Sequence, residues 1–159
     1  MGRKLAINPN SARKAQHTCI SMLTGGGKGI AINNLGLIDK RHPVVIFDPH
    51  SEYDKIAGRK VYAYKTKRGF CKVFAKAWVS GKPFALAYRP QIKSQDDKAR
   101  RKELKAHAHW FGRLVWEASD GNRILYAIFE EYGEYCDSAA NDDSIIGQIW
   151  TGGRKFGLR

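Results

Sequence analysis

The feature that most constrains the fold is a glycine-rich junction, TGGGKG at residues 24–29, which follows the apolar run HTCISML. Three consecutive glycines allow a backbone path whose N–H groups converge on one point, where side chains would obstruct them. Lys28 adds a positive charge at the start of the next helix, whose dipole also attracts anions. A strand, a tight turn and a helix in this order predict a loop that binds phosphate groups.

The junction matches only the end of the phosphate-loop pattern G-x-x-x-x-G-K-[ST], at Gly27 and Lys28. Met22 stands in place of the first glycine, and Gly29 replaces the residue whose hydroxyl normally contacts Mg²⁺. Mg²⁺ would then depend on phosphate oxygens, water and an acidic residue elsewhere. A glycine-rich turn with an incidental lysine is the alternative. The residues predicted to bind nucleotide are Thr24, Gly25, Gly26, Gly27, Lys28, Gly29 and Ile30.

A second apolar segment, Ile124 to Phe129, is followed at once by Glu130 and Glu131. Ligands gather at the carboxyl ends of parallel strands, so these acids should lie at the same sheet edge as the phosphate loop. Glu130 is predicted to hold Mg²⁺, usually through water, and Glu131 to orient or deprotonate the attacking water. The alternative is an acidic helix cap.

Apolar runs alternate with amphipathic segments along the rest of the chain, which predicts a mainly parallel sheet covered by helices, an α/β fold in three layers. The runs PVVIFD, KVYAY and PFALAY are typical of strands. From Lys98 to Ser119 the apolar period indicates a long helix, and Ser144 to Trp150 a short one. The predicted core stripe of the long helix consists of Leu104, Ala108, Phe111, Leu114, Val115 and Ala118.

The net charge of +13 favours a phosphate-rich polyanion as partner. Part of it lies in residues 93–105, where a solvated helix face is the alternative. His107 and His109 are expected on the helix surface. No stretch approaches the roughly 20 apolar residues that span a bilayer, so no membrane-spanning segment is expected. Residues 1–16 are predicted to form a basic arm before a domain at 17–159.

Four segments together resemble one family: TGGGKG, VVIFDPHSEYD, ILYAIFEEYGEY and GGRKFGLR. They are similar to the FtsK–HerA superfamily of P-loop DNA-pumping ATPases, with a RecA-like fold. Within it they look like the genome-packaging ATPases of tectivirus-like, internal-membrane bacteriophages. The resemblance runs from His17 to Arg159. It places Ser51 in the glycine position of a DPxGEY-type segment and implies an extra strand, Phe84 to Tyr88, between the two nucleotide motifs.

The resemblance implies ATP and Mg²⁺ as cofactors, double-stranded DNA as substrate, and a homo-oligomeric ring that meets capsid portal or packaging-vertex proteins. The location would be the host cytoplasm or the virion packaging vertex. Arg154 is implied as the arginine that completes a neighbouring subunit's site, with Arg159 second; a surface or DNA-backbone contact is the alternative for either. A strand usually ending in Gln is also implied after GRKFGLR, so we expect a domain that lacks its last strand or strands.

Two other functions stay open at this stage. One is a related motor for conjugation or filamentous-phage assembly, a group that commonly carries membrane-spanning segments. The other is a non-catalytic module that binds nucleic acid and carries a degenerate nucleotide site, which Met22 and Gly29 favour.

Overall fold

The computed structural model describes Thr18 and residues 28–135, 144–153 and 157–159, and for Lys28, Gly29 and Asn33 it describes only the backbone. A parallel sheet of four strands forms its centre: β1 (Val44–Phe47), β4 (Tyr62–Tyr64), β5 (Ala85–Tyr88) and β6 (Tyr126–Phe129). Their order in the sheet is β4-β5-β1-β6. The predicted strand HTCISML and the arm at 1–16 lie outside the described residues, apart from Thr18.

Four helices accompany the sheet: α1 (Lys28–Asn34), α2 (Lys67–Val79), α3 (Asp97–Ala118) and α4 (Ile145–Gly152). Side chains cap three of them, because the oxygens of Thr66, Asp96 and Ser144 accept hydrogen bonds from first-turn N–H groups. The long predicted helix and the short one are both confirmed, with ends shifted by one or two residues. No helix within the described part of the chain is long and apolar enough to cross a membrane.

The core lies on both faces of the sheet. Val45 and Phe47 of β1 face α2, α3 and α4, where Phe70 and Phe111 are fully buried. The alternate residues of β1 face the other side, where Ile32 of α1 packs against them. The predicted mainly parallel sheet covered by helices is therefore confirmed, and so is the core stripe of α3, although Leu114 and Ala118 are only partly buried.

One predicted strand divides into two elements. The run KVYAY was expected to be continuous, but Lys60 belongs to a small antiparallel hairpin, β2 (Lys55–Ile56) with β3 (Arg59–Lys60), and β4 begins only at Tyr62. Ala57 and Gly58 at the turn have φ of 48° and 74°. Two left-handed residues match the right-handed twist of a tight hairpin, which explains the early reversal.

The last residues of the chain join the sheet on the side of β6 away from β1. The Leu125 N–H donates to the Gly157 carbonyl (2.9 Å), the Arg159 N–H to the Leu125 carbonyl (3.0 Å), and the bridge is parallel. Residues 157–159, the end of GRKFGLR, thus pair with the backbone of Leu125. The resemblance implied an extra strand between the two nucleotide motifs, and β5 lies between them along the sequence. In the sheet, however, β5 lies between β4 and β1 and is not next to β6.

The expectation of surface histidines on α3 is wrong. Both His107 and His109 are half-buried, and His107 Nδ1 lies 2.7 Å from the Tyr88 hydroxyl of β5. Burial lowers the pKa of His107. The reason is that α3 lies between α2 and α4, so its flanks as well as its inner face are covered.

The contact of α3 with α4 gives a test of the packing. A Cβ at Gly112 would lie 3.1 Å from Ile145 Cγ2 and 3.4 Å from Ile146 Cγ1. We expect Gly112→Leu to lower the free energy of unfolding by about 1–3 kcal/mol, because overpacking forces the helices apart. Ala106→Leu, at an exposed position of α3, should change it by less than about 0.5 kcal/mol. Urea denaturation measures both; equal effects would contradict this packing.

Candidate nucleotide and metal site

Two acidic residues leave the sheet side by side at the carboxyl ends of β1 and β6. Phe47 pairs with Phe129 across these strands, so Asp48 and Glu130, the next residues, start from the same level. The Glu130 N–H donates to the Phe47 carbonyl at 3.1 Å, which extends the ladder by one bond. The edge where β1 and β6 end is therefore acidic.

Asp48 holds the loop that follows β1. Its carboxylate is fully buried and accepts hydrogen bonds from the Glu52 N–H (2.8 Å) and the Tyr53 N–H (3.4 Å). Arg89, which follows β5, donates to the same carboxylate at 2.8 Å and to the Tyr53 carbonyl at 2.8 Å. A buried carboxylate is stable only when paired, so this ion pair and these bonds fix the course of residues 49–54.

Ser51 lies at the tightest point of this loop and has a φ of 62°. A left-handed conformation costs a residue other than glycine about 1–2 kcal/mol. The glycine of the DPxGEY-type segment would take this conformation without that cost. Ser51 thus keeps the shape of the loop at some cost in backbone strain.

The loop reaches β6 through a buried hydrogen bond. The Tyr53 hydroxyl donates to Glu130 Oε2 at 2.8 Å, and the two residues are only 2% and 5% exposed. Burial, together with the neighbouring Glu130 carboxylate, raises the pKa of Tyr53 far above its usual value, so the phenol stays protonated and donates. The Tyr135 hydroxyl also donates to the Glu130 carbonyl at 2.9 Å. Glu130 is therefore held at both its backbone and its side chain.

Three carboxylates converge beside this bond. Glu52, Glu130 and Glu131 each place a carboxylate oxygen within 4.8 Å of the other two. Glu130 is buried, Glu131 half-buried and Glu52 exposed, so the cluster opens from the sheet edge to solvent. Like charges so close repel unless a cation lies between them, and carboxylate oxygens are the ligands that Mg²⁺ prefers. The chemistry of this donor set therefore fits Mg²⁺.

Glu131 itself has a strained backbone, with φ 51° and ψ 44°. Strained residues of this kind persist where the surrounding structure holds them, and they concentrate at functional sites. The short 3₁₀ turn Tyr132–Glu134 follows directly. Glu134 Oε2 lies 3.1 Å from His50 Nε2, and Arg101 of α3 donates to the Glu134 carbonyl at 3.1 Å. These contacts hold the turn from both sides.

The predicted site residues have different positions in the structure. Glu130 and Glu131 come together in the cluster, and Glu52, which sequence reasoning missed as a ligand, joins them. Its one sequence signal is its place in DPHSEYD, directly after a buried strand. Lys28 and Gly29 form the first turn of α1, and Ile30 is 67% exposed there. Thr24, Gly25, Gly26, Gly27 and Arg154 lie outside the described residues.

In a comparison with known families, the family model described as the helicase HerA central domain matches residues 5–108 of the 159. The matched stretch contains the glycine-rich junction and the loop from Asp48 to Tyr53, and it ends before β6. Comparisons with curated proteins and with solved structures give no match. The FtsK–HerA part of the resemblance is confirmed. The chain belongs to the helicase HerA central-domain family and is thus a P-loop ATPase of the FtsK–HerA class.

Proposed function

We propose that the chain is an ATP-driven translocase of double-stranded DNA, which acts in a homo-oligomeric ring to package a viral genome into a preformed capsid. The observation that carries the proposal is the convergence of Glu52, Glu130 and Glu131 at the ends of β1 and β6. An ATPase needs fixed carboxylates near its phosphate loop, and the stretch that matches the family, residues 5–108, includes the glycine-rich junction predicted to be that loop.

Each residue of the cluster has a chemical task in this proposal. When bound, Mg²⁺ neutralises charge on the β- and γ-phosphates of ATP. Glu130, which Tyr53 holds in place, and Glu52, which faces solvent, would provide carboxylate oxygens to hold this metal. Glu131 accepts a proton from the attacking water. The oxygen of that water bonds to the γ-phosphorus as the bond between the γ-phosphorus and the leaving ADP oxygen breaks. Lys28 contacts the phosphates.

The ring and the DNA account for further parts of the proposal. Arg154, with Arg159 as second candidate, stabilises the transferring phosphoryl group in a neighbouring subunit. Sequence-independent pumping needs contacts to DNA phosphates rather than to bases, which a net charge of +13 favours. The packaging role, the partners at a capsid portal or packaging vertex, and a location there or in the host cytoplasm rest on the resemblance to phage packaging ATPases.

The first test of the proposal removes the reacting groups. We expect DNA-stimulated ATPase activity that falls as salt rises, and a loss of about 100-fold or more in Lys28→Ala and in Glu131→Gln. Glu117→Gln, at an exposed position of α3 outside the acidic cluster, is the matched control and should leave turnover close to that of the wild type.

Wild-type turnover in both reacting-group variants would contradict the proposal. DNA binding by a wild-type protein that hydrolyses no ATP would instead support the non-catalytic module that Met22 and Gly29 favour.

The second test concerns how Glu130 is held. Tyr53→Phe removes the hydroxyl that donates to Glu130 at 2.8 Å. We expect kcat to fall while the Kd for ATP stays unchanged. Tyr53 positions the Glu130 carboxylate, and in this proposal it contacts neither the nucleotide nor the general base Glu131. The free energy of unfolding should fall by about 1.5–3 kcal/mol, the range for a hydrogen bond to a charged group.

Tyr62→Phe, at a position 56% exposed on β4, is the control. It should leave kcat, the Kd for ATP and the free energy of unfolding unchanged. Steady-state kinetics, ATP titration and urea denaturation provide the three readouts. A Tyr53→Phe protein with the kcat of the wild type would show that this hydrogen bond is only structural.

A further inference from the structure

One long stretch of the chain carries positive charge without any acidic residue. Residues 55–95 contain 11 lysines and arginines and no aspartate or glutamate. The helix α2 lies in the middle of this stretch. Among the residues that the structure describes, Arg89 is the one member of this stretch that forms ion pairs, and it binds Asp48 and Asp54. Most lysines and arginines of this stretch therefore form no ion pair with acidic residues of the described chain.

The cations of α2 lie on one line. Arg68, Lys72 and Lys76 are spaced by four residues, so they follow one another at intervals of about 6 Å along the helix. All three are exposed, whereas Phe70 and Phe74 on the opposite face are buried in the core. We name Arg68, Lys72 and Lys76 the α2 stripe.

The α2 stripe does not stabilise its own helix. Like charges four residues apart repel one another, and Arg68 lies in the first turn, where the helix dipole disfavours a cation. No acidic residue occupies that turn. Arg123, by contrast, pairs with Asp120 and stacks on Trp78. An array that disfavours its own helix indicates an anionic partner outside the chain.

The chemistry of the α2 stripe identifies the kind of partner. Charged residues are depleted at the centre of protein–protein interfaces, so three adjacent exposed cations do not suit contact with a second copy of this chain. Insertion into a bilayer needs an exposed apolar face, but Phe70 and Phe74 are already buried beneath the helix. A nucleic-acid backbone presents regularly repeated phosphates and needs no apolar contact. We infer that the α2 stripe binds the phosphate backbone of double-stranded DNA; the choice of DNA rests on the proposed function.

The test compares two variants of equal charge. Arg68→Gln, Lys72→Gln and Lys76→Gln are combined in one protein, and Lys40→Gln, Lys55→Gln and Lys60→Gln, also exposed, in the control. Binding of a short DNA duplex is measured by fluorescence anisotropy without nucleotide, between about 50 and 200 mM salt. Loss of three phosphate contacts should reduce the slope of log K against log salt by about 2 to 3 and weaken binding at least about tenfold.

The control variant should keep most of the slope and affinity of the wild type, and both variants should bind ATP as the wild type does. An unchanged slope in the stripe variant, or an equal loss in the control, would overturn the inference while leaving the proposed ATPase intact. A wild-type protein that binds no duplex would overturn both. Binding to anionic vesicles that disappears in the stripe variant, with DNA binding unchanged, would assign the surface to a membrane and also refute the inference.

Discussion

The buried carboxylate of Asp48 and its ion pair with Arg89 determine where the other parts of the candidate site can lie. An unpaired charge at this depth would cost several kcal/mol, so Arg89 must stay at 2.8 Å as long as the protein is folded. The remaining lone pairs of Asp48 bind the N–H groups of Glu52 and Tyr53. Through Tyr53 the same network reaches Glu130, so the ends of β1, β5 and β6 form one hydrogen-bonded unit.

This network also explains how the protein tolerates two strained residues. Ser51 and Glu131 both have left-handed backbones, each within one residue of a carboxylate of the cluster. Rigid loops of this kind hold like charges close together before any ligand arrives. The free energy of folding then offsets the repulsion between these carboxylates, so that binding a ligand does not have to. A site prepared in this way suits a reaction in which fixed charges must meet a phosphate at a defined distance.

Local pattern was sufficient for most of the fold but not for the complete site. Apolar runs and helical periods located β1, β6, α3 and α4, because these elements bury continuous stripes. Glu52 could not be recognised, since its role depends on β1 lying next to β6, and strand order is set by tertiary packing. The same limit applies to His107, whose burial depends on the neighbours of α3, and to KVYAY, which a two-residue turn interrupts. Glycine spacing indicated the phosphate loop, whereas its geometry lies outside the described residues.

The most direct measurement is the position of the metal in a crystal of the protein with Mn²⁺ and a non-hydrolysable ATP analogue. Anomalous scattering identifies Mn²⁺, which takes the oxygen ligands of Mg²⁺. We expect one peak between the phosphates and the cluster of Glu52, Glu130 and Glu131, about 2 Å from a carboxylate oxygen or one water further away. A bound analogue whose Mn²⁺ lies remote from all three carboxylates would contradict their assignment as the metal side of the nucleotide site.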